Sequence, residues 1–168
     1  QPNLGHGVYL QHVPGTVLGD GSVTGRNTIG GNFGYGVVLE GTGTVNTLVG
    51  GNWIGVAGTP PQPRTNRMGG VWLDDAPSNT IGFAGAAPNV VSGNDGPGIR
   101  VSGAPAWRNV IVNNFIGLDP AGTSSLFNTS HGIQLSQARA TRIGGTSAGE
   151  RNVISGNLGY GILVEAGE

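Results

Sequence analysis

The chain has 168 residues, 34 of them glycine, with a formal net charge of −1. That length suits one domain able to bury a substantial core. The near-neutral charge offers no footprint for nucleic acid or an anionic membrane surface, no run approaches the apolar length of a membrane-spanning helix, and the lack of cysteine removes disulfides and thiolate metal sites.

Charged residues make up only 10% of the chain while 36% is hydrophobic, which is unlike the composition of a disordered segment. So much glycine calls for a backbone that turns every few residues and often adopts positive φ. The chain opens on a loop, Gln1-Pro2-Asn3-Leu4, and reaches Gly7-Val8-Tyr9-Leu10, the first copy of a Gly-[Val/Ile]-x-[Leu/Val] core. Further copies follow at Gly36-Val37-Val38-Leu39, Gly70-Val71-Trp72-Leu73, Gly98-Ile99-Arg100-Val101, Gly132-Ile133-Gln134-Leu135 and Gly161-Ile162-Leu163-Val164. Their glycines are separated by 29, 34, 28, 34 and 29 residues, so short and long units alternate and the true repeat is a pair.

A second cassette, Asn-x-[Ile/Val]-x-x-Asn, follows the first core at Asn27 to Asn32 and recurs at Asn89 to Asn94, Asn109 to Asn114 and Asn152 to Asn157. The copy from Asn46 to Asn52 carries an extra residue and reads as a bulge. A third element, Asn79-Thr80-Ile81-Gly82 and Thr141-Arg142-Ile143-Gly144, precedes the cassette in the short units, with Thr16-Val17-Leu18-Gly19 as a poorer copy. Each unit thus holds three short runs of period-2 alternation and no helical periodicity.

Strands this short bury a face only by stacking, at about 4.8 Å per layer. The expected fold is all-β: a right-handed parallel β-helix of about five to six coils, alternating short and long, over a single domain 1–168. Val8, Val37, Val71, Ile99, Ile133 and Ile162 should form one inward ladder, and asparagines at fixed corners should form amide ladders or left-handed turns. The repeats "NVISGN", "GI-x-[VL]" and "N-x-IGG" resemble those of bacterial right-handed parallel β-helix repeat proteins, over essentially the whole chain. The run Asn114 to Thr123 is similar to the long-coil loop of that family. The resemblance specifies coils rather than chemistry, because the fold carries lyases, hydrolases, adhesins and passenger domains alike.

Neither end shows a capping helix, so the chain is expected to be a segment of a longer solenoid or to self-associate end to end through open coil edges. The long loops, 56–68 and 118–130, should recur on one edge and the loops 83–88 and 145–151 on another. Outward positions of the first run are the candidates for function. Glu40 and Asp74 should lie one strand apart with Asp75 beside them and Arg100 diagonal, a layout that would suit an acid pair, a Ca²⁺ ion or a uronate. Tyr9 and Trp72 share an outward column, with Val38 between them, and could stack on sugar rings. Asp74-Asp75 and Gly5-His6-Gly7 are similar to polygalacturonase motifs, but the histidine precedes the aspartates and the other signatures are missing.

The expectation is a non-catalytic, extracellular or cell-surface structural or adhesive solenoid without cofactor or metal. The alternatives are a polysaccharide lyase or hydrolase using Glu40, Asp74, Asp75 and Arg100, and a glycan-binding module using Tyr9 and Trp72.

Overall fold

Apart from one short hairpin, strands of two to six residues pair with their counterparts in the neighbouring turn of the chain, and the molecule is built from that pairing. The structure is a computed structural model and describes residues 1–166. The last two positions of the expected 1–168 domain lie outside the described residues.

Coil one contains β1 (Val8–Gln11), β2 (Val17–Leu18) and β3 (Thr28–Ile29). Coil two contains β4 (Tyr35–Glu40), β5 (Leu48–Val49) and β6 (Trp53–Ile54), then an antiparallel hairpin of β7 (Val56–Ala57) and β8 (Gln62–Pro63). Coil three has β9 (Gly69–Asp74), β10 (Thr80–Ile81) and β11 (Asn89–Val91), and coil four has β12 (Ile99–Ser102), β13 (Val110–Ile111) and β14 (Asn114–Ile116). Coil five has β15 (Ile133–Ser136), β16 (Arg142–Ile143) and β17 (Val153–Ile154), and β18 (Ile162–Glu165) opens the next turn.

These strands form three parallel walls. The first is β1-β4-β9-β12-β15-β18, the second β2-β5-β10-β13-β16 and the third β3-β6-β11-β14-β17. The chain is therefore a parallel β-solenoid of about five turns, as its repeats lead one to expect. Helix is confined, among the described residues, to the single 3₁₀ turn Ala148–Glu150.

Register explains the core motif. Val37 pairs with Val71, Ile99 with Val71 and Ile133, and Leu39 with Leu73, so like residues stack on like. These side chains are fully buried and merge with Ile54, Ile81, Val91, Ile111 and Ile116 from the other two walls in one aliphatic core. The glycine ahead of each of the first five runs, Gly7, Gly36, Gly70, Gly98 and Gly132, is demanded by space rather than by φ. A Cβ on Gly36 would lie 2.6 Å from Ile54 Cγ2, 2.8 Å from Asn66 Nδ2 and 2.9 Å from Gly70 O.

Asparagine closes two corners. Between the third and first walls, Asn3 donates to Asn32, Asn32 to Asn66, Asn66 to Asn94, Asn94 to Asn128 and Asn128 to Asn157, each from Nδ2 to Oδ1 at 2.7–2.9 Å. Ahead of the third wall, Asn27 donates to Asn52, Asn89 to Asn114 and Asn114 to Asn152, all at 2.9 Å. Buried amides of this kind also satisfy backbone carbonyls, which would otherwise go unpaired at a corner.

The paired repeat has a steric origin. Coils one, three and five carry their loops between the second and third walls, at 19–26, 82–88 and 144–151. Coils two and four turn that corner tightly and carry their extra residues after the third wall instead, at 56–63 and 118–125. A loop is thicker than one strand spacing, so it needs the neighbouring coil to be tight at the same corner. Asn113, in the tight corner of coil four, donates from Nδ2 to Phe83 O and Ala86 O of the loop of coil three.

Two details of the cassette reading are corrected by the register. Leu48 pairs with Thr80 and Val49 with Ile81, so Thr47, not Asn46, stands level with Asn79. Asn46 sits outside with φ 55° as a left-handed corner residue. The unit from Thr47 to Asn52 has no extra residue and no bulge. The copies at 47–52 and 109–114 also belong to the second wall, whereas those at 27–32, 89–94 and 152–157 form the third.

Candidate functional site

The outer face of the first wall carries the largest and most polar side chains in consecutive coils. Strand alternation sends two residues per run outward, and the register stacks them in two columns. One is Tyr9, Val38, Trp72, Arg100, Gln134 and Leu163. The other is Gln11, Glu40, Asp74, Ser102, Ser136 and Glu165.

Glu40 and Asp74 thus lie level on adjacent strands, as the sequence predicts. Glu40 Oε2 accepts from Tyr9 Oη at 2.7 Å and Oε1 accepts from Gln11 Nε2 at 3.1 Å. Asp74 Oδ1 accepts from Ser102 Oγ at 3.1 Å, and Ser102 Oγ accepts in turn from Trp72 Nε1 at 2.7 Å. Partial burial pushes the Asp74 carboxyl above its ordinary range, and the nearby Asp75 and Glu40 charges add to this, while Ser102 and Arg100 oppose it. The hydrogen bond to Glu40 holds the Tyr9 phenol above its usual value.

Asp75 is not part of the strand. With φ 52° it makes the left-handed corner that leaves the wall, and its carboxylate fills the space over Gly103 of the next coil. Arg100 pairs with Trp72 rather than with Asp74, and its guanidinium lies 5.7 Å from the indole centroid. Among the described residues one ion pair forms, Arg142 with Glu150 at 2.8 Å, so Arg100 is in N–O contact with neither Glu40 nor Asp74. Its Nε is buried without an acceptor. Glu40, Asp74 and Asp75 do not converge into a cation cage. Among the described residues no three His, Cys, Asp or Glu side chains are grouped to hold a metal ion.

Val38 does not interrupt the aromatic column as its sequence position suggests, because it is fully buried on this outer face. The cover comes from rings that the strand alternation does not reveal. Tyr35 stands before the core glycine of coil two, and its ring lies 5.3 Å from that of Trp72. His6, in the same slot of coil one, stacks on Tyr9 at 5.7 Å and lies tilted 6.2 Å from Tyr35, and its Nδ1 accepts from the Tyr35 amide at 3.0 Å. The result is a continuous aromatic strip, His6–Tyr9–Tyr35–Trp72, over Val38. The signal for it was the recurrence of ring residues in that slot, where His131 and Tyr160 stack at 5.4 Å, closer to parallel than His6 and Tyr35.

The backbones that carry Glu40 and Asp74 are one strand spacing apart, about 4.8 Å, but Glu40 turns to β1 and Asp74 to β12, so the two carboxylates are not drawn together as an acid pair. Both are tied along the wall to neutral donors. The recessed spaces lie elsewhere, such as one of about 240 Å³ beside the hairpin, lined by Pro63, Gly93, Leu126 and Phe127. The other walls present mostly uncharged columns, Val17–Leu48–Thr80–Val110–Arg142 and Thr28–Trp53–Val90–Phe115–Val153.

Comparison with protein-family models, curated proteins and solved structures finds no match to this chain. Its class rests on its own strand pairing and amide ladders, which define a parallel β-solenoid.

Proposed function

We propose that this chain is a non-catalytic structural or adhesive solenoid that works outside the cell or on a cell surface. The observation that carries this reading is the amide ladder at the third-to-first corner, which runs through every described coil from Asn3 to Asn157. Such a ladder locks coil to coil without variation, and that is what a rod needs along its length. Among the described residues the loops alternate between two corners and do not swell into a lid over the first wall. A polysaccharide-cleaving enzyme of this architecture would require its acid, base and cation to face a shared space. Here Glu40, Asp74 and Arg100 each turn to a different neighbour.

In this role the coil edges at either end are further pairing surfaces for additional solenoid, whether from another chain or from more of the same one. Electron microscopy with light scattering on the purified chain tests the reading. Rods with a stiff axis and an axial rise of about 4.8 Å per coil are expected, with no release of reducing ends or unsaturated products from polyuronates or neutral glucans. Turnover of either polymer that is lost in Asp74→Asn would replace this reading with the lyase or hydrolase.

A further inference from the structure

We infer that the outer face of the first wall, over coils one to four, binds an extended neutral glycan. The chain would lie along the solenoid axis, across the strands. The inference rests on the non-catalytic reading above and adds the ligand class and the residues that hold it.

Two parallel strips make the site. Along the aromatic strip Tyr9, 47% exposed, and His6 and Trp72, partly exposed, offer ring surface, while Tyr35, only 3% exposed, packs against His6 and Trp72 as their support. Beside it runs a polar strip, Gln11–Glu40–Asp74–Ser102, rich in acceptors. Sugar rings present an apolar C–H face and a rim of hydroxyl donors, and the two strips match those two chemistries in that order. Aromatic side chains suit such amphipathic ligands because they supply rigid area and keep a polar edge. The carboxylates can take hydroxyl protons as charge-assisted hydrogen bonds, which are stronger than neutral ones.

The spacing selects an extended chain. Tyr9 and Trp72 are two coils apart, about 10 Å at the usual strand separation, a span suited to successive rings of one polymer rather than to a monosaccharide. Charge decides between neutral and acidic glycans. Glu40 and Asp74 on this stretch of wall, with Asp75 at the corner beside it, face a single cation, Arg100. The excess of negative charge disfavours uronates and sulfated sugars. Arg100, without an ion-pair partner among the described residues and placed over Trp72, closes the far end of the aromatic strip and supplies the donors that a carboxylate row lacks.

Affinity electrophoresis of the full chain tests this, in gels holding a soluble neutral β-glucan, a galactomannan or a polygalacturonate. Retardation by at least one neutral polymer is expected, with none by polygalacturonate. Trp72→Ala should abolish it, and Tyr9→Ala should weaken apparent affinity roughly tenfold, the loss of one aromatic contact of about 1.4 kcal/mol. Trp53→Ala on the third wall should leave it unchanged, and far-UV circular dichroism confirms that each variant is folded. No retardation by any neutral polymer, or equal losses in Trp72→Ala and Trp53→Ala, would overturn the inference. Retardation by polygalacturonate alone would also overturn it. Release of reducing ends in the same gels would sink the non-catalytic reading while leaving the binding face standing.

Discussion

The corner between the third and first walls and the outer face of the first wall are both columns of polar side chains at one-coil spacing, yet they obey opposite rules. At the corner every layer has the same residue, and the inner amides Asn32, Asn66, Asn94 and Asn128 are buried and find partners in the coils above and below. On the face, successive layers hold tyrosine, valine, tryptophan, arginine and glutamine, and the guanidinium of Arg100 is left without an ion-pair partner among the described residues. A polar column that repeats holds the solenoid together, because an unpaired buried amide costs far more than a paired one returns. A column that varies cannot serve that end, and it is on this column that we place the proposed glycan contact.

The sharpest way to break this contrast is Asn94→Ala. Asn94 accepts from Asn66 and donates to Asn128, and it also bonds its own backbone amide to Asn128 and its Nδ2 to Ile54 O. Removing its side chain leaves two buried amides short of a partner, at about 1–3 kcal/mol each, and a loss of about 4 kcal/mol is expected in urea unfolding. Gly36→Ala comes next, at about 2–3 kcal/mol, because the added methyl meets Ile54, the Asn66 amide and the Gly70 carbonyl together. Glu40→Gln, on the outer face, should shift stability by no more than about 0.5 kcal/mol. If it cost as much as Asn94→Ala, the division between a holding column and a recognising column would be wrong.

The smallest effects are those of pH, and they sharpen the contrast by sign. Glu150 holds its carboxyl down to about 2, mainly through Arg142 and then through Ser147, against an ordinary 4.5. A depressed folded value gives stability that is present above pH 4.5 and lost as pH falls towards 2. Asp74 is shifted the other way, chiefly by burial. Its charged form works against the fold at neutral pH, and that penalty is relieved as acid protonates it. Thermal melts from pH 6 to pH 2 should therefore flatten in Glu150→Gln and fall more steeply in Asp74→Asn, which should also melt slightly higher at neutral pH.

Much of this architecture was legible in the residues. Gly-[Val/Ile]-x-[Leu/Val] specifies an inward–outward alternation that no packing detail can reverse, so the core ladder and the outward placement of Tyr9, Glu40, Trp72 and Asp74 follow directly. What could not be read depended on neighbouring coils. Asparagine serves both as a buried ladder rung and as a left-handed corner residue, and nothing local shows that Asn46 takes the corner while Thr47 takes the buried position, bonding to Asn79 Oδ1 through its backbone N–H alone. Val38 looks like a gap in an aromatic column until Tyr35 and Trp72, from its own coil and the next, are seen to close over it. The reason for the paired repeat was hidden for the same cause, since it lies in the thickness of a loop against the coil beside it.

One feature of the third-to-first ladder gives the molecule a direction. Every amide-to-amide bond in it runs from the Nδ2 of the earlier coil to the Oδ1 of the later one. A single inverted amide would set N–H against N–H on one side and oxygen against oxygen on the other, and the Nδ2 bonds to Ile29 O, Ile54 O, Val91 O and Ile116 O fix the sense of the whole column. The solenoid is in this sense a polar thread. Anything that stacks on its leading coil must present an N–H to the waiting oxygen of Asn3, and anything that follows its last coil must present an oxygen, so coils that look alike join in only one sense.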